Sequence, residues 1–275
     1  MKKLTSMALS VILVFLFVFA FFAQNEPNVH AEVYTADTAY REAIEDELDR
    51  LDTLDLSSES RATAEGKLNF MLLTEAERTA IVQASMPRSF YDLKKCNVPH
   101  FRQERSDYCG PATAKQTIHY LTDGAISPTQ DEIAPHVGMT DPGEEEGEEG
   151  SYSASSQLIR NWLEDYGFYY YSVNVSTMST RDIVNYVVAD IGTYDNPCFG
   201  GVTANNQAVS SGYWPYYTGG HILNISGIIQ YEPDYQNSSL QFTDPYITWA
   251  DTYNTTGKHY VSLLHYNEVK TSFWW

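Results

Sequence analysis

The segment Gln103-Glu-Arg-Ser-Asp-Tyr-Cys109-Gly-Pro111 decides the fold, because it places a cysteine at the expected start of a helix. Pro111 suits the first turn of a helix, where its missing N–H is not needed, and the helical pattern runs through about Leu121. A sulfur in that first turn lies beside free backbone N–H groups and the positive end of the helix dipole, which favour the thiolate. The segment therefore predicts a nucleophilic Cys109 rather than a buried apolar cysteine.

His221 is the histidine best placed to act as the base that a thiolate needs. It follows the small residues Gly219 and Gly220, which let another segment approach closely, and it begins an apolar strand that runs to Gln230. The other histidines are expected elsewhere: His30 in a cleaved leader, His119 too far along the Cys109 helix, His136 at a surface cap, and His100, His259 and His265 with no acid in useful register.

Two polar residues complete the candidate site. Asp244 follows the predicted strand Leu240–Thr243, where its carboxylate can orient the imidazole of His221. By itself, an Asp-Pro pair is equally typical of a turn. Gln103 precedes Cys109 by six residues, and its side-chain amide can join the Cys109 backbone N–H in an oxyanion hole.

The order Gln, Cys-Gly-Pro, Gly-His, Asp-Pro resembles the C39-like cysteine peptidases. This family belongs to the papain-like superfamily and includes the peptidase domains of bacteriocin-exporting transporters. The resemblance covers roughly residues 97–268 and rests on four blocks: Val98-Pro-His-Phe-Arg-Gln-Glu, Tyr108-Cys-Gly-Pro-Ala-Thr, Gly220-His221 and Asp244-Pro245. A long acidic loop and an insertion at Asn205–Gly219 depart from the simplest members, which leaves the substrate open.

The resemblance implies an α+β, papain-like fold in which the Cys109 helix packs on an antiparallel sheet carrying His221 and Asp244. It implies Cys109 as the nucleophile, His221 as the general base and acid, Asp244 as the orienting residue and Gln103 as the oxyanion donor. Helical patterns that precede most of the strand patterns also favour an α+β layout over alternating βαβ units.

Residues 1–31 have the pattern of a secretory signal peptide. Lys2 and Lys3 precede an apolar run, and Val29-His-Ala31 matches a small-x-small cleavage site. A retained membrane anchor is the alternative, because the run approaches the length of a spanning helix. The mature protein is therefore expected to be secreted, in solution or at the cell wall, without membrane contact after cleavage.

Residues 32–92 form an acidic helical region, with 14 acidic and 6 basic side chains. Thr74 and Glu77 have the spacing of a capping box and predict a helix to about Ser85, which Pro87 would stop. Apolar residues recur earlier in the region at helical spacing: Ile44, Leu48, Leu51 and Leu54. This region is either a propeptide or a helical decoration packed on the main domain.

Residues 93–275 form the predicted peptidase domain. Further helices are expected at Ser155–Tyr166 and from Ser179 to Gly192. Strands are expected at Phe168–Val175, Cys198–Thr203, His221–Gln230, Leu240–Thr243 and His259–Val269. The terminal Phe273-Trp-Trp is either an aromatic platform for a ligand or a tail that packs against the sheet.

Charge and cysteine content exclude several classes of function. A net charge of −19 argues against a nucleic-acid-binding protein. Three cysteines without a Cys-x-x-Cys pair predict neither a zinc site nor a cofactor. If Cys109 stays free, Cys96 and Cys198 can form a disulfide. Alternatively, Cys198 is a buried strand residue with no disulfide partner. The Glu-rich stretch 141–150 lacks the spacing of an EF-hand and predicts a solvated loop rather than a calcium site.

The sequence thus predicts a secreted, monomeric cysteine peptidase that cleaves a peptide or protein substrate through a Cys-His-Asp triad and a thioester acyl-enzyme. Two alternatives stay open. One is a catalytically silent papain-like protein that binds or supports the cell wall. The other is an amide hydrolase or acyltransferase on wall peptides, because a fold does not fix its substrate.

Overall fold

The computed structural model describes residues 38–85, 92–139, 153–230, 237–247 and 254–275. The predicted signal peptide, the helix stop at Pro87 and the acidic loop 141–150 lie outside these residues. Across the described ranges, no helix has both the length and the apolar character needed to cross a membrane.

The N-terminal region is helical, as its sequence predicts. It contains α1 (Thr38–Asp52), α2 (Ser58–Leu72) and α3 (Glu75–Ser85). The capping box at the start of α3 is present: Glu77 Oε2 accepts from the Thr74 backbone N–H at 2.7 Å, and Thr74 Oγ1 accepts from the Glu77 backbone N–H at 3.3 Å. Two N–H groups that the helix leaves free are thereby satisfied.

The helices of the main domain begin with α4 (Cys109–Leu121), which matches the predicted bounds. The others are α5 (Gln130–Ile133), a 3₁₀ turn (Ala134–Val137), α6 (Ser156–Glu164), α7 (Thr180–Ala189), α8 (Asn206–Ser210) and α9 (Leu263–Val269). Gly192 does not end the helix that starts at Thr180. The chain continues as a π-helical turn (Asp190–Tyr194) and stops at Asp195, which has a left-handed φ of 55°.

The sheet is antiparallel at every pairing between its named strands. Its strands are β1 (Asp92–Lys95), β2 (Cys198–Ala204), β3 (Thr218–Gln230), β4 (Ser239–Thr243), β5 (Lys258–Ser262) and β6 (Lys270–Trp274). The order is β5-β4-β3-β2-β6, and β1 pairs with the C-terminal end of β3. Strand β3 is therefore central, and the predicted α+β class is confirmed.

Two of the predicted strands are wrong in whole or in part. The run Phe168–Val175 makes only an isolated bridge at Ser172, although its extended backbone bonds the C-terminal residues. The run His259–Val269 leaves the sheet after Ser262, whose Oγ accepts from the His265 backbone N–H at 3.2 Å. This side chain is the N-cap of α9, which the strand-forming residues of the run lead us to predict as strand.

Helices lie on both faces of the sheet, as the alternation along β3 shows. Ile222 belongs to the apolar cluster around α4, whereas Leu223 belongs to the cluster that includes Phe70 of α2. In the C-terminal tail, Phe273 and Trp275 pack in the Phe70 cluster, where the Trp275 ring centroid lies 5.3 Å from that of Phe70, and Trp274 packs in the cluster around α4. The tail is thus part of the core rather than an exposed platform.

The N-terminal helices are also joined to the main domain by ion pairs. The Arg78 guanidinium donates to both carboxylate oxygens of Asp182, at 2.9 and 3.0 Å. Lys67 Nζ lies 2.8 Å from Asp190 Oδ1, and both side chains are fully buried. These contacts describe a helical layer packed on the domain, which is one of the two interpretations of residues 32–92.

The three cysteines are all free thiols. Cys96 and Cys198 are buried but do not form the disulfide that their spacing left open. The Cys198 sulfur instead lies 3.4 Å from Asp190 Oδ2, and burial raises the pKa of Cys198 well above the ordinary value of a thiol. Cys198 is therefore a structural strand residue, not a nucleophile.

Candidate active site

Cys109 is the first residue of α4 and is half-buried. The first turn contains no acidic side chain, so no like charge in that turn opposes a negative sulfur at the positive end of the helix dipole. The backbone N–H groups of Gly110 and Ile222 both donate towards the sulfur. Gly110 is required by close packing, because a Cβ there would lie 2.1 Å from Ala154 Cβ.

A buried polar network fixes α4 against β3 and so sets the position of Cys109 relative to His221. Thr113 Oγ1 donates to the Ile222 carbonyl at 2.9 Å, and Thr117 Oγ1 donates to Asn224 Oδ1 at 2.8 Å. Asn224 is fully buried and cannot slide without losing these bonds. Sequence reasoning missed this network, although two threonines on one face of the predicted helix were a usable signal.

His221 and Asp244 form a buried hydrogen-bonded pair. His221 Nε2 lies 2.8 Å from Asp244 Oδ1, and the side chains are 5% and 0% exposed. Because a carboxylate only accepts, the hydrogen of this bond sits on Nε2. Nδ1 is then the ring nitrogen left for the hydrogen bond between His221 and the Cys109 sulfur.

The electrostatics of these three groups favour a thiolate–imidazolium pair. Burial raises the pKa of Cys109, but the hydrogen bond and charge of His221 outweigh burial and lower the net value. Burial lowers the pKa of His221, whereas Asp244 raises it, to a net value of about 10. The Asp244 carboxyl has a pKa far below its usual range, because His221 and His259 overcome the effect of burial.

Three further groups surround Asp244. The Tyr246 backbone N–H donates to Oδ1 at 2.8 Å, and the Tyr216 hydroxyl donates to Oδ2 at 2.6 Å. His259 Nε2 lies 3.1 Å from the same Oδ2. The expectation that His259 has no acid in useful register is therefore wrong. Its position on β5, paired with Phe242 of β4, brings it to the face that Asp244 shares with Phe242.

The backbone of Asp244-Pro245 is also held from both sides. The Asp244 N–H donates to the Gly257 carbonyl at 2.8 Å, and the Gln103 N–H donates to the Pro245 carbonyl at 3.2 Å. The segment before Cys109 thus binds directly to the segment that carries the carboxylate. Asp244 is a buried, fixed side chain rather than only the start of a turn.

Gln103 is buried near the start of α4. Its side-chain Nε2 donates to the carbonyls of Arg105 and Ser106, at 2.9 and 2.7 Å. Both amide hydrogens therefore serve the loop that leads into Cys109. The oxyanion role of Gln103 stays a prediction, and it requires one of these hydrogens to turn towards the substrate.

The structure thus brings Cys109, His221 and Asp244 together, with Gln103 in the adjoining loop. A family model, the Peptidase_C39 like family, matches residues 95–273. The chain belongs to this family. A comparison with curated proteins finds no match to this chain.

The Peptidase_C39 like family has the papain-like fold, and the matched range contains β2 to β5 and the helices from α4 onward, beginning at the last residue of β1. Within the part of the chain that the structure describes, no group of three or more His, Cys, Asp or Glu side chains is arranged to hold a metal ion. The chemistry available at the site is that of a thiolate, an imidazolium and a carboxylate.

Proposed function

We propose that this protein is an exported cysteine peptidase that hydrolyses peptide bonds through Cys109, His221 and Asp244. The observation that carries the proposal is the chain of contacts from the Cys109 sulfur through His221 to the buried Asp244 carboxylate. Membership of a family of papain-like cysteine peptidases supports the reaction class. The signal-peptide pattern of residues 1–31 supports export.

Acylation begins when the Cys109 thiolate attacks the carbonyl carbon of the substrate, forming a C–S bond. The negative charge moves to the carbonyl oxygen, beside the first N–H groups of α4. The imidazolium of His221 then gives its Nδ1 proton to the departing amine as the C–N bond breaks. The products of this half-reaction are a thioester on Cys109, a free amine and a neutral His221.

Deacylation uses the same groups in the reverse sense. Neutral His221 takes a proton from water at Nδ1, and the hydroxide equivalent attacks the thioester carbon. The C–S bond breaks, the acid product leaves, and the thiolate–imidazolium pair is restored. Asp244 keeps the ring in the tautomer with hydrogen on Nε2 throughout both steps, so that Nδ1 always faces the reaction.

A catalytically silent binding protein fits these contacts less well. Asp244 is fully buried, charged and supported by four hydrogen-bonding groups. Buried charge of this kind is weak evidence for stability, because apolar residues of similar volume often serve as well. Its arrangement is readily explained by the need to orient His221 towards Cys109.

The proposal is tested with the purified mature chain and a mixed peptide library, read by mass spectrometry. We expect wild type to cleave library peptides and to lose that activity after iodoacetamide labels Cys109. Cys109→Ala should be inactive, and Cys96→Ala, which removes a buried thiol outside the site, should stay active. An unreactive Cys109 in wild type, with no cleavage and no acyl adduct, would contradict the proposal.

A further inference from the structure

We propose that His259 is a positioning residue, which holds the Asp244 carboxylate in the orientation that His221 requires. This inference rests on the peptidase function proposed above and adds a fourth side chain to its machinery. His259 is not expected to touch the substrate, because its contact is with the carboxylate oxygen that His221 does not use.

The hydrogen bonds of Asp244 divide evenly between its two oxygens. Oδ1 accepts from His221 Nε2 and the Tyr246 backbone N–H. Oδ2 accepts from the Tyr216 hydroxyl and His259 Nε2. Since the carboxylate can only accept, His259 carries a hydrogen on Nε2 and acts as a donor. Each oxygen therefore has two donors, and the plane of the carboxylate is fixed.

His259 is mounted rigidly enough to act in this way. It lies on β5 opposite Phe242, and the two rings stack with centroids 5.3 Å apart and planes 26° apart. The Trp214 ring packs edge-on against His259, at 5.2 Å and 85°, and also contacts Phe242, at 5.4 Å. The His259 side chain is only 11% exposed. A ring on a strand that packs in a three-ring aromatic cluster keeps its Nε2 at one place.

Loss of the His259 hydrogen would leave Oδ2 with Tyr216 alone. With three of its four donors left, the carboxylate is held less firmly, and rotation carries Oδ1 away from His221 Nε2. A misplaced His221 slows both proton transfers but does not alter the surface that meets the substrate. The expected signature is therefore a lower kcat with little change in KM.

Two substitutions separate the hydrogen bond of His259 from its packing. His259→Phe keeps an aromatic ring in contact with Phe242 and Trp214 but removes the donor. His259→Gln keeps an N–H donor at about the position of Nε2. Because a hydrogen bond to a charged group is worth about a factor of ten or more, kcat should fall about tenfold in the Phe variant, with KM within about twofold. The Gln variant should return to within about threefold of wild type.

The matched control is His265→Phe. His265 packs against Tyr213, with ring centroids 4.5 Å apart, and within the described residues no hydrogen bond joins it to Cys109, His221 or Asp244. This variant should keep the wild-type kcat. Melting temperatures of all variants show whether each is folded, and His259→Leu replaces the Phe variant if that chain does not fold.

The results distinguish this inference from the proposed function. Wild-type kcat in folded His259→Phe, or a Gln variant as slow as the Phe variant, would overturn the role of His259 while leaving the peptidase intact. A wild-type protein without turnover and with an unreactive Cys109 would overturn the proposed function itself. A slow Phe variant, rescue by Gln and an active His265→Phe would support the inference.

Discussion

Replacement of Lys67 by methionine is expected to destabilise the whole domain. Lys67 lies on α2, and its ammonium crosses into the main domain to meet Asp190 at the start of the π-helical turn. Both side chains are fully buried, and Nζ also lies 4.5 Å from the centroid of the Tyr170 ring. Methionine has a similar length but carries no charge, so Asp190 would lose its partner without a large cavity forming.

The magnitude follows from the burial of the pair. Removing one partner of a buried ion pair costs about 3–5 kcal/mol, because the other charge stays buried and uncompensated. Burial already raises the pKa of Asp190, and Lys67 opposes this rise. Without Lys67 the carboxyl takes up a proton more readily, which limits the loss. For a domain of this size, such a loss corresponds to a fall in Tm of roughly 6–20 °C.

The measurement is the free energy of unfolding from urea titrations of wild type and Lys67→Met. The control is Arg181→Met, which removes an exposed ion pair of the same interface. In that pair, Arg181 Nε lies 3.9 Å from Glu75 Oε1. The loss of this pair should lower the free energy of unfolding by only about 0–1 kcal/mol. Adding Asp190→Asn to Lys67→Met removes the unpaired charge and should restore part of the loss. A Lys67→Met protein as stable as the Arg181→Met control would refute the reasoning.

Three further predictions concern the active site and its attached helices. Initial rates should rise as Cys109 ionises, at a pH below the ordinary thiol pKa. They should fall near about pH 10, where His221 loses its proton. Rates that rise only above the ordinary thiol pKa would contradict the thiolate–imidazolium pair. Asp244→Asn removes the charge that raises the pKa of His221, so the alkaline fall should move to lower pH, which the same rate profile measures. A chain that starts at residue 93 should show a lower Tm and no gain in activity over one that starts at residue 32, and a more active short chain would instead identify a propeptide.

The sequence predicts α4 and the central strand well because their signals are local. Proline and the small residues around Cys109 specify the start of a helix, and the apolar run after His221 specifies a buried strand. The strand predicted over 259–269 is wrong beyond Ser262, because the aromatic and β-branched residues of this run favour a strand throughout. The decisive signal was Ser262, an N-cap residue whose role depends on where the strand ends.

The candidate site divides in the same way. Cys109, His221 and Asp244 follow from motif order, since each stands at the end or start of a recognisable element. His259 and Tyr216 do not, because their contacts with Asp244 depend on the register of β4 with β5 and on the path of the chain before β3. Once β4 and β5 are paired in the observed register, His259 lies opposite Phe242 and so on the same face as Asp244.

The contacts of the acidic helical region bear on its role. Strand β3 turns Ile222 towards α4, and Leu223 towards the cluster that contains both Phe70 of α2 and Phe242 of β4. Among the described residues, the ion pairs that join α1–α3 to the main domain go to α6, α7 and the π-helical turn, rather than to Cys109, His221 or Asp244. An inhibitory segment would have to cover the sulfur, whereas these helices are fixed to neighbouring elements by ion pairs, one of which contains the buried Lys67. The contacts therefore favour a permanent layer of the fold, which supports α6, α7 and the π-helical turn.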